Sequence, residues 1–309
     1  MDHASPRDST APLAAFAAGT DGLPLALLSL QPGLLSAVQD RLAHHGLLDP
    51  PADRFLGPVT TWAISQFARA TGEPSGPGLF TPVLARRLLE PDPVLPLDCS
   101  FPDFASRVVR AMQGRGDWLC RHPDALTIAY VEHTEPDGTP SRAREDAFDD
   151  VRLLLRIRPA GRPAIVGCWE ATTRSGRDAT DDPVDEQGPP ILDPGQYKAR
   201  VMGRTAIGTK LEQDALVQCL PLPVIRDADK DSTRHGDPAD HGFFVIDQHG
   251  SFDAPRDEVG GTSAGCLVGK SQAGHVAFIG ALRTDPRFRA NNAYRFMTSL
   301  LTPQYFAGV

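Results

Sequence analysis

Several common protein classes are excluded by what this chain lacks. It has no CxxC pair: its five cysteines, Cys99, Cys120, Cys168, Cys219 and Cys266, are odd in number and widely spaced. That spacing gives neither a zinc ribbon nor a convincing disulfide framework, so most of the five are expected to be small buried hydrophobes. Basic residues are the minority, 31 against 39 acidic, for a formal net charge of -8. A general nucleic-acid binder needs a basic face that releases counterions from phosphate, and a polybasic membrane-surface protein needs the same excess. The opening MDHASPRDST has neither the basic n-region nor the apolar h-region of a signal peptide. Leu25 to Leu30 is apolar but far too short to cross a bilayer, and Pro24 and Pro32 flank it. The expectation is synthesis in the cytoplasm without a signal peptide and without membrane insertion. There is no HExxH or other paired-ligand spacing, so neither a metal nor a cofactor is expected.

What is abundant is turn chemistry, with 29 Pro and 28 Gly in 309 residues. That length suggests two domains. Residues 1–25, rich in Ala, Ser, Thr, Asp and Pro as far as Gly22, read as a flexible or loosely docked arm. From there Leu34, Leu35, Val38 and Leu42 fall at helical spacing, with Gly46 placed to stop the helix. Gly57-Pro58 opens a second helix with Val59, Ala63, Ile64 and Phe67 on one face, and Thr81 to Leu89 is a third. Residues 26–90 thus read as a small three-helix domain. Residues 91–98 form a Pro-rich, semi-rigid linker.

Residues 99–309 read differently. After an amphipathic helix from Phe104 to Met112 come strand-like runs at Leu126–Glu132, Val151–Ile157 and Ile165–Ala171, then short strands with frequent turns. The fold class is α+β: a helical bundle followed by a larger, mainly β domain without a parallel α/β sheet. Asp193-Pro194-Gly195-Gln196-Tyr197 is a turn leading into a strand, and Ala215-Leu216-Val217-Gln218 is a short apolar run. Arg226-Asp227-Ala228-Asp229-Lys230-Asp231 sets three aspartates at alternate positions, as a calcium loop begins, but the Gly and Glu of the full pattern are missing. It is read as a hydrogen-bonded turn shaping a site wall, with a cation site as the alternative. Ala277–Leu282 and Ala293–Leu301 close the domain as helices or strands.

The chemistry concentrates in His241 to Gly269. An apolar segment, Phe243 to Ile246, leads into Asp247, Gln248 and His249; a Gly-rich loop follows, then Ser263-Ala264-Gly265-Cys266. A thiol is a nucleophile as thiolate, and a nearby imidazole can lower its pKa. Gly265 allows close backbone approach, and N–H groups around it can stabilise an oxyanion. Cys266, His249, Ser263 and Gly265 are therefore the candidate catalytic residues, and Asp247, Gln248, His241, Arg226 and Asp227 the candidate substrate contacts. His241 and His235 rank behind His249 as bases, and His275 is read as a cap or a surface residue.

Two stretches carry resemblances. LLSAVQDRLAHHGLL followed by DRFLGPVTTWAISQFARATG resembles the three-helix peptidoglycan-binding domain, with Asp53, Gly57, Pro58, Thr60, Ala63, Ile64 and Phe67 matching, Arg54 and Leu56 departing, and Gln66 preceding rather than following Phe67. His249, Ser263, Gly265 and Cys266 match, in order, the L,D-transpeptidase motif of a histidine followed by [ST]-H-G-C. Ala264 stands at the second histidine, and Leu267-Val268-Gly269 replaces the residues that normally include an arginine. The TT-x-x-G, PGQY, ALVQ, RD-x-[DN]-x-D and SAGC landmarks are shared with an uncharacterised group of bacterial and phage proteins. These resemblances imply a peptidoglycan-binding cysteine enzyme that acts on stem-peptide amide bonds, as hydrolase or transpeptidase. Cell-wall peptidoglycan would be its partner and lysis or a phage or injection particle its route there. The competing class is a non-enzymatic wall-binding or particle protein with a vestigial Cys-His site.

Overall fold

A computed structural model describes residues 10–73 and 78–308. Residues 1–9 of the expected arm and part of the loop after Gly72 lie outside the described residues. The chain divides into two compact units. One runs through Asp98 and takes in Trp118–Ala125 and Ile157–Arg162; the other holds Cys99–Asp117, Leu126–Arg156 and the chain from Pro163 onward.

In the first unit α1 (Ala11–Ala17) is followed by β1 (Leu23–Pro24), a 3-10 turn at Leu25–Leu30, α2 (Pro32–His44), α3 (Pro58–Ala70), β2 (Leu79–Phe80) and α4 (Pro82–Leu88). Each of α2, α3 and α4 begins with proline at its first position, where the missing N–H has no partner to lose. Gly46 ends α2 at φ 73°, and the Thr81 hydroxyl caps α4 by accepting from Leu84 N–H at 3.1 Å. Leu13, Val38, Leu42, Phe67, Phe80 and Leu84 have no exposed surface and form the core. The described part of the arm is ordered, contrary to expectation. Leu13 is fully buried, Phe16 stacks on Phe80 with ring centroids 5.2 Å apart, and the Arg86 side chain donates to Ala17 O at 2.6 Å. The apolar spacing of Leu13, Phe16 and Ala17 gives one helical face, which composition alone conceals.

The loop before α3 is tied by Gln39. Its Nε2 donates to Asp53 Oδ1 (2.6 Å) and Thr60 Oγ1 (3.2 Å), and its Oε1 accepts from the backbone N–H of Asp53 and Arg54. The same loop holds Arg54 at φ 58°, a region that favours glycine.

The second unit starts with α5 (Phe104–Arg115), capped by the Asp103 carboxylate and ended by Gly116 at φ 85°. Then come β3 (Thr127–Val131), β4 (Asp150–Ile157), β5 (Pro163–Thr172), α6 (Arg177–Asp181), β6 (Pro190–Leu192), β7 (Gly195–Thr205), β8 (Gln213–Gln218), β9 (Leu222–Arg226) and β10 (Ala239–Gly242). They are followed by β11 (Gln248–Gly250), β12 (Leu267–Gly269), α7 (Gln272–Leu282), α8 (Pro286–Ala290) and β13 (Arg295–Leu301). Eight of these strands close into a mixed barrel in the order β11-β12-β5-β4-β3-β13-β7-β8. Its parallel pairs are β11 with β12 and β13 with β3. A separate three-stranded sheet runs β10-β9-β6. The molecule is thus α+β.

The apolar segment Phe243–Ile246 is not a strand but joins β10 to β11. Phe243 and Val245 are mostly exposed, and Val245 sits at φ 57°. The backbone N–H groups of Phe244 and Ile246 donate to Gln218 Oε1 at 3.2 and 3.0 Å, so one side chain replaces a partner strand. No helix among the described residues is long and apolar enough to cross a membrane.

Candidate functional site

Two short strands position the thiol and the imidazole. In the β11–β12 pair Gln248 lies opposite Leu267 and His249 opposite Val268, and Leu267 N–H donates to Asp247 O at 2.9 Å. Opposed residues share a face and alternate residues return to it. His249 and Cys266 therefore emerge on one face of adjacent parallel strands. They are offset by two residues, roughly 6.5 Å along the strands and about 4.8 Å across them. That face is the outer one, because Gln248 points the other way and reaches across the barrel to Thr298 Oγ1 at 2.7 Å.

Cys266 is half-buried against Phe148, Val259 and Val268. Its thiol donates to Val245 O at 3.2 Å. Burial pushes its pKa up to about 12; the nearby Asp247 carboxylate adds to this, and Arg200 pulls the other way. His249 is held by a 3.1 Å contact between Nδ1 and Gly250 O. Burial lowers its pKa, Asp247 opposes that, and the Arg152 charge reinforces it. At neutral pH the pair is a protonated thiol and a neutral imidazole, without a hydrogen bond between them.

The turn that delivers Cys266 is built tightly. The buried Ser263 hydroxyl donates to Cys266 O at 3.0 Å and accepts from Gly265 N–H at 3.3 Å, while Ser263 O accepts from Gly176 N–H at 2.9 Å. Gly265 has φ 116°, and a Cβ there would collide with the Pro190 carbonyl oxygen. Ser263 and Gly265 thus shape the backbone that carries the thiol.

The candidate substrate contacts are not gathered around it. Asp247 is buried, accepts from Gln218 N–H at 2.9 Å, and has its pKa raised by burial. Gln248 is wholly inside the barrel. His241 is exposed on β10 in the separate sheet, opposite Pro223. Arg226 is fully engaged: it meets Asp240 (3.0 Å), Asp185 (3.1 Å) and Gly188 O (3.2 Å) and lies over the Phe244 ring. Asp227 is buried and accepts from Ser232 N–H at 3.2 Å. Of the other histidines, His235 is exposed and His275 is a core residue of α7, contacting Asp214 O at 2.7 Å and Arg152 at 3.3 Å. The cap of α7 is Ser271.

Sequence reasoning missed a buried charged cluster at the ends of β3 and β4. Asp149 receives Arg174 at 3.2 Å and His133 at 3.3 Å; Arg234 meets Glu132 at 2.6 Å; and the Thr173 hydroxyl donates to Glu132 (2.9 Å) and Asp150 (2.8 Å). Burial raises Asp150 to about 6, against the pull of Arg174. Burial also pushes Glu132 upward, but Arg234 and Arg174 outweigh it and hold that carboxyl below its usual range. The signal was present as Glu132-His133 and Asp149-Asp150, charged pairs terminating two apolar strands. Arg174 belongs to the TT-x-x-G turn, and its contact with Ser232 O (3.5 Å) ties that turn to the aspartate loop.

Among the described residues two sets could hold a metal ion by proximity of their ligand atoms: His133, Asp149 and Asp150, and Asp227, Asp229, Asp231 and Asp237, each set within 4.8 Å. In the first, Arg174 already pairs with Asp149. The second is an all-oxygen group of the kind hard cations take, but most of its carboxylates are spent on loop N–H groups. An open cavity of about 520 Å³ lies beside the Ser263 turn, bordered by Asp146, Arg177, Asp178, Glu258 and residues 260–262. Neither Cys266 nor His249 lines it. Compared with known protein families, curated proteins and solved structures, the chain matches none of them.

Proposed function

We propose that this chain is a cysteine-dependent acyl-transfer enzyme acting on stem-peptide amides of peptidoglycan, of the L,D-transpeptidase-like kind, with its helical unit as a peptidoglycan-binding domain. The carrying observation is the β11–β12 register, which brings Cys266 and His249 onto one face of neighbouring parallel strands. The neutral His249 ring is in the form that accepts a proton, and the Cys266 thiol is in the form that gives one. The chemistry is therefore general-base attack, in which the proton moves to His249 as sulfur bonds the amide carbonyl. His249 then protonates the leaving amine, and water or a second amine resolves the thioester. Because the side chains start two residues apart, productive geometry requires the imidazole and thiol to close to hydrogen-bond distance when substrate seats.

The helical unit supports the wall assignment through its loop. Gln39, Asp53 and Thr60, which fall in the stretch resembling the glycan-binding domain, are joined in one hydrogen-bonded knot. Arg54, standing where that domain has glycine, still adopts the left-handed backbone a glycine would take. Access to the wall would follow lysis or carriage on a phage or injection particle. The non-enzymatic reading has its own support: the thiol is spent on Val245 O and packed among apolar side chains. Digestion of purified peptidoglycan by the whole protein separates the two. New muropeptides that vanish with Cys266→Ala and with His249→Ala support the enzyme; identical profiles for all three proteins reject it.

A further inference from the structure

The barrel interior carries two guanidinium charges that no carboxylate among the described residues meets in an ion pair, although Asp247 acts on Arg200 at longer range. Gln248 faces inward, and strand register extends that face around the wall. Leu216 opposes Gln248, so Gln218 two residues on also faces in, and Arg200 is its partner on β7. Thr298 meets Gln248 and opposes Ile128, so Tyr130 faces in, and Arg152 lies directly opposite Tyr130. Arg152 and Arg200 are both fully buried. Arg200 donates through Nε to Ile246 O at 2.8 Å, and its Nη1 and Nη2 have no partner. Arg152 uses Nη1 on His275 and interacts with the buried Tyr130 hydroxyl, whose oxygen can accept from the guanidinium and leave its own O–H to donate. Aromatic faces take up part of the Arg152 charge, with Phe278 at 4.1 Å and Trp169 at 5.5 Å from its centre. Among the described residues no ring lies over Arg200 in this way.

Two guanidinium groups out of water without a carboxylate in hydrogen-bond contact are an expensive arrangement. Arginine does not escape it by losing its proton, as lysine would. Room for the charges is built in: Gly269 and Gly250 leave space where a Cβ would strike Arg152 and His275. An eight-stranded barrel is wide enough to be filled by side chains or to hold one small ligand. His275 and Phe278 of α7 lie against Arg152, and the Ile246 carbonyl holds Arg200 in a segment where Phe243 and Val245 are exposed.

We propose that the barrel interior is a binding site for a small oxyanion, a carboxylate or phosphate group held by the free N–H groups of Arg200 and Arg152 with the Tyr130 hydroxyl as a third donor. Planar guanidinium forks match such oxygens in pairs. Arg200 and Arg152 act electrostatically on Cys266 and His249, so the two groups of residues are neighbours, but oxyanion binding does not require the thiol to be catalytic.

The test uses the whole protein, exchanged into a chloride buffer free of oxyanions and titrated separately with acetate and inorganic phosphate. Arginine side-chain NMR signals and the unfolding temperature are followed together. The expected result is that one probe saturates, moving the two buried guanidinium signals with a single binding constant and raising the unfolding temperature. Acetate identifies a carboxylate ligand and phosphate a phosphate ligand. In Arg200→Met the affinity should fall at least about tenfold. If that variant does not fold, the wild-type spectra decide alone. Shifts confined to exposed arginines, no saturation by either probe, or unchanged affinity in a folded Arg200→Met protein would each overturn the proposal.

Discussion

Gly265→Ala tests whether the backbone ahead of Cys266 is as constrained as its geometry implies. At φ 116° an L residue is strained, which costs on the order of 1–3 kcal/mol. Its Cβ must also displace the Pro190 carbonyl oxygen, which belongs to β6 and cannot rotate away as a side-chain tip would. Movement of Gly265 would in turn disturb the bond from its N–H to the Ser263 hydroxyl. Together these set the expected loss at about 3 kcal/mol. For a unit of this size that corresponds to a fall of roughly 6–12 °C in unfolding temperature. Urea unfolding of Gly265→Ala beside Ala264→Ser, whose exposed position should change stability by less than about 0.5 kcal/mol, supplies the comparison. A loss at Gly265 smaller than about 1 kcal/mol would refute the reasoning, since extrapolated stabilities are reproducible to about that level.

Two further outcomes follow from the buried charges. Arg234→Met strands Glu132 in the interior and should cost on the order of 3 kcal/mol, part of which returns in the double variant with Glu132→Gln; a double-mutant cycle in urea reads the coupling, and a value near zero would contradict it. His275 has its pKa pulled down to about 4 by burial, from an ordinary 6.5. The folded state then binds fewer protons than the unfolded, so this histidine's contribution is intact above pH 6.5 and is lost as pH falls towards 4. Acid titration of stability should show that limb, up to roughly 3 kcal/mol, and His275→Gln should flatten it.

What the chain disclosed beforehand depended on how local each signal was. The helices at Leu34–Leu42 and Val59–Phe67 were legible because their apolar spacing and the Pro and Gly at their ends act within one turn. Residues 11–17 were hidden because an alanine-rich composition looks disordered until Leu13 and Phe16 find Phe80 across the unit. Phe243–Ile246 misled for the opposite reason. Its run of apolar residues suits a strand, but the partner it finds is the Gln218 amide, a long-range pairing that no local pattern announces. Arg226 and Asp227 were marked by their motif and are indeed ordered, yet the order is spent on Asp185, Asp240 and Ser232 rather than on an open site.

The Cys-His pair shows where spacing stops being informative. Seventeen positions of chain are enough to bring a strand end back beside another, and the parallel register does put both side chains on one face. Spacing says nothing about the offset along that face, and here the offset is two residues. The cluster of Phe148, Val259 and Val268 then determines the thiol's ionisation, because an apolar wall favours the neutral form. A preformed thiolate–imidazolium pair is disfavoured from both sides, with the thiol pKa near 12 and that of the ring lowered. Any nucleophilic chemistry at Cys266 must therefore be switched on by what binds. A substrate that draws the 251–262 loop and its Val259 off the sulfur would loosen the apolar wall and let the ring approach in the same movement.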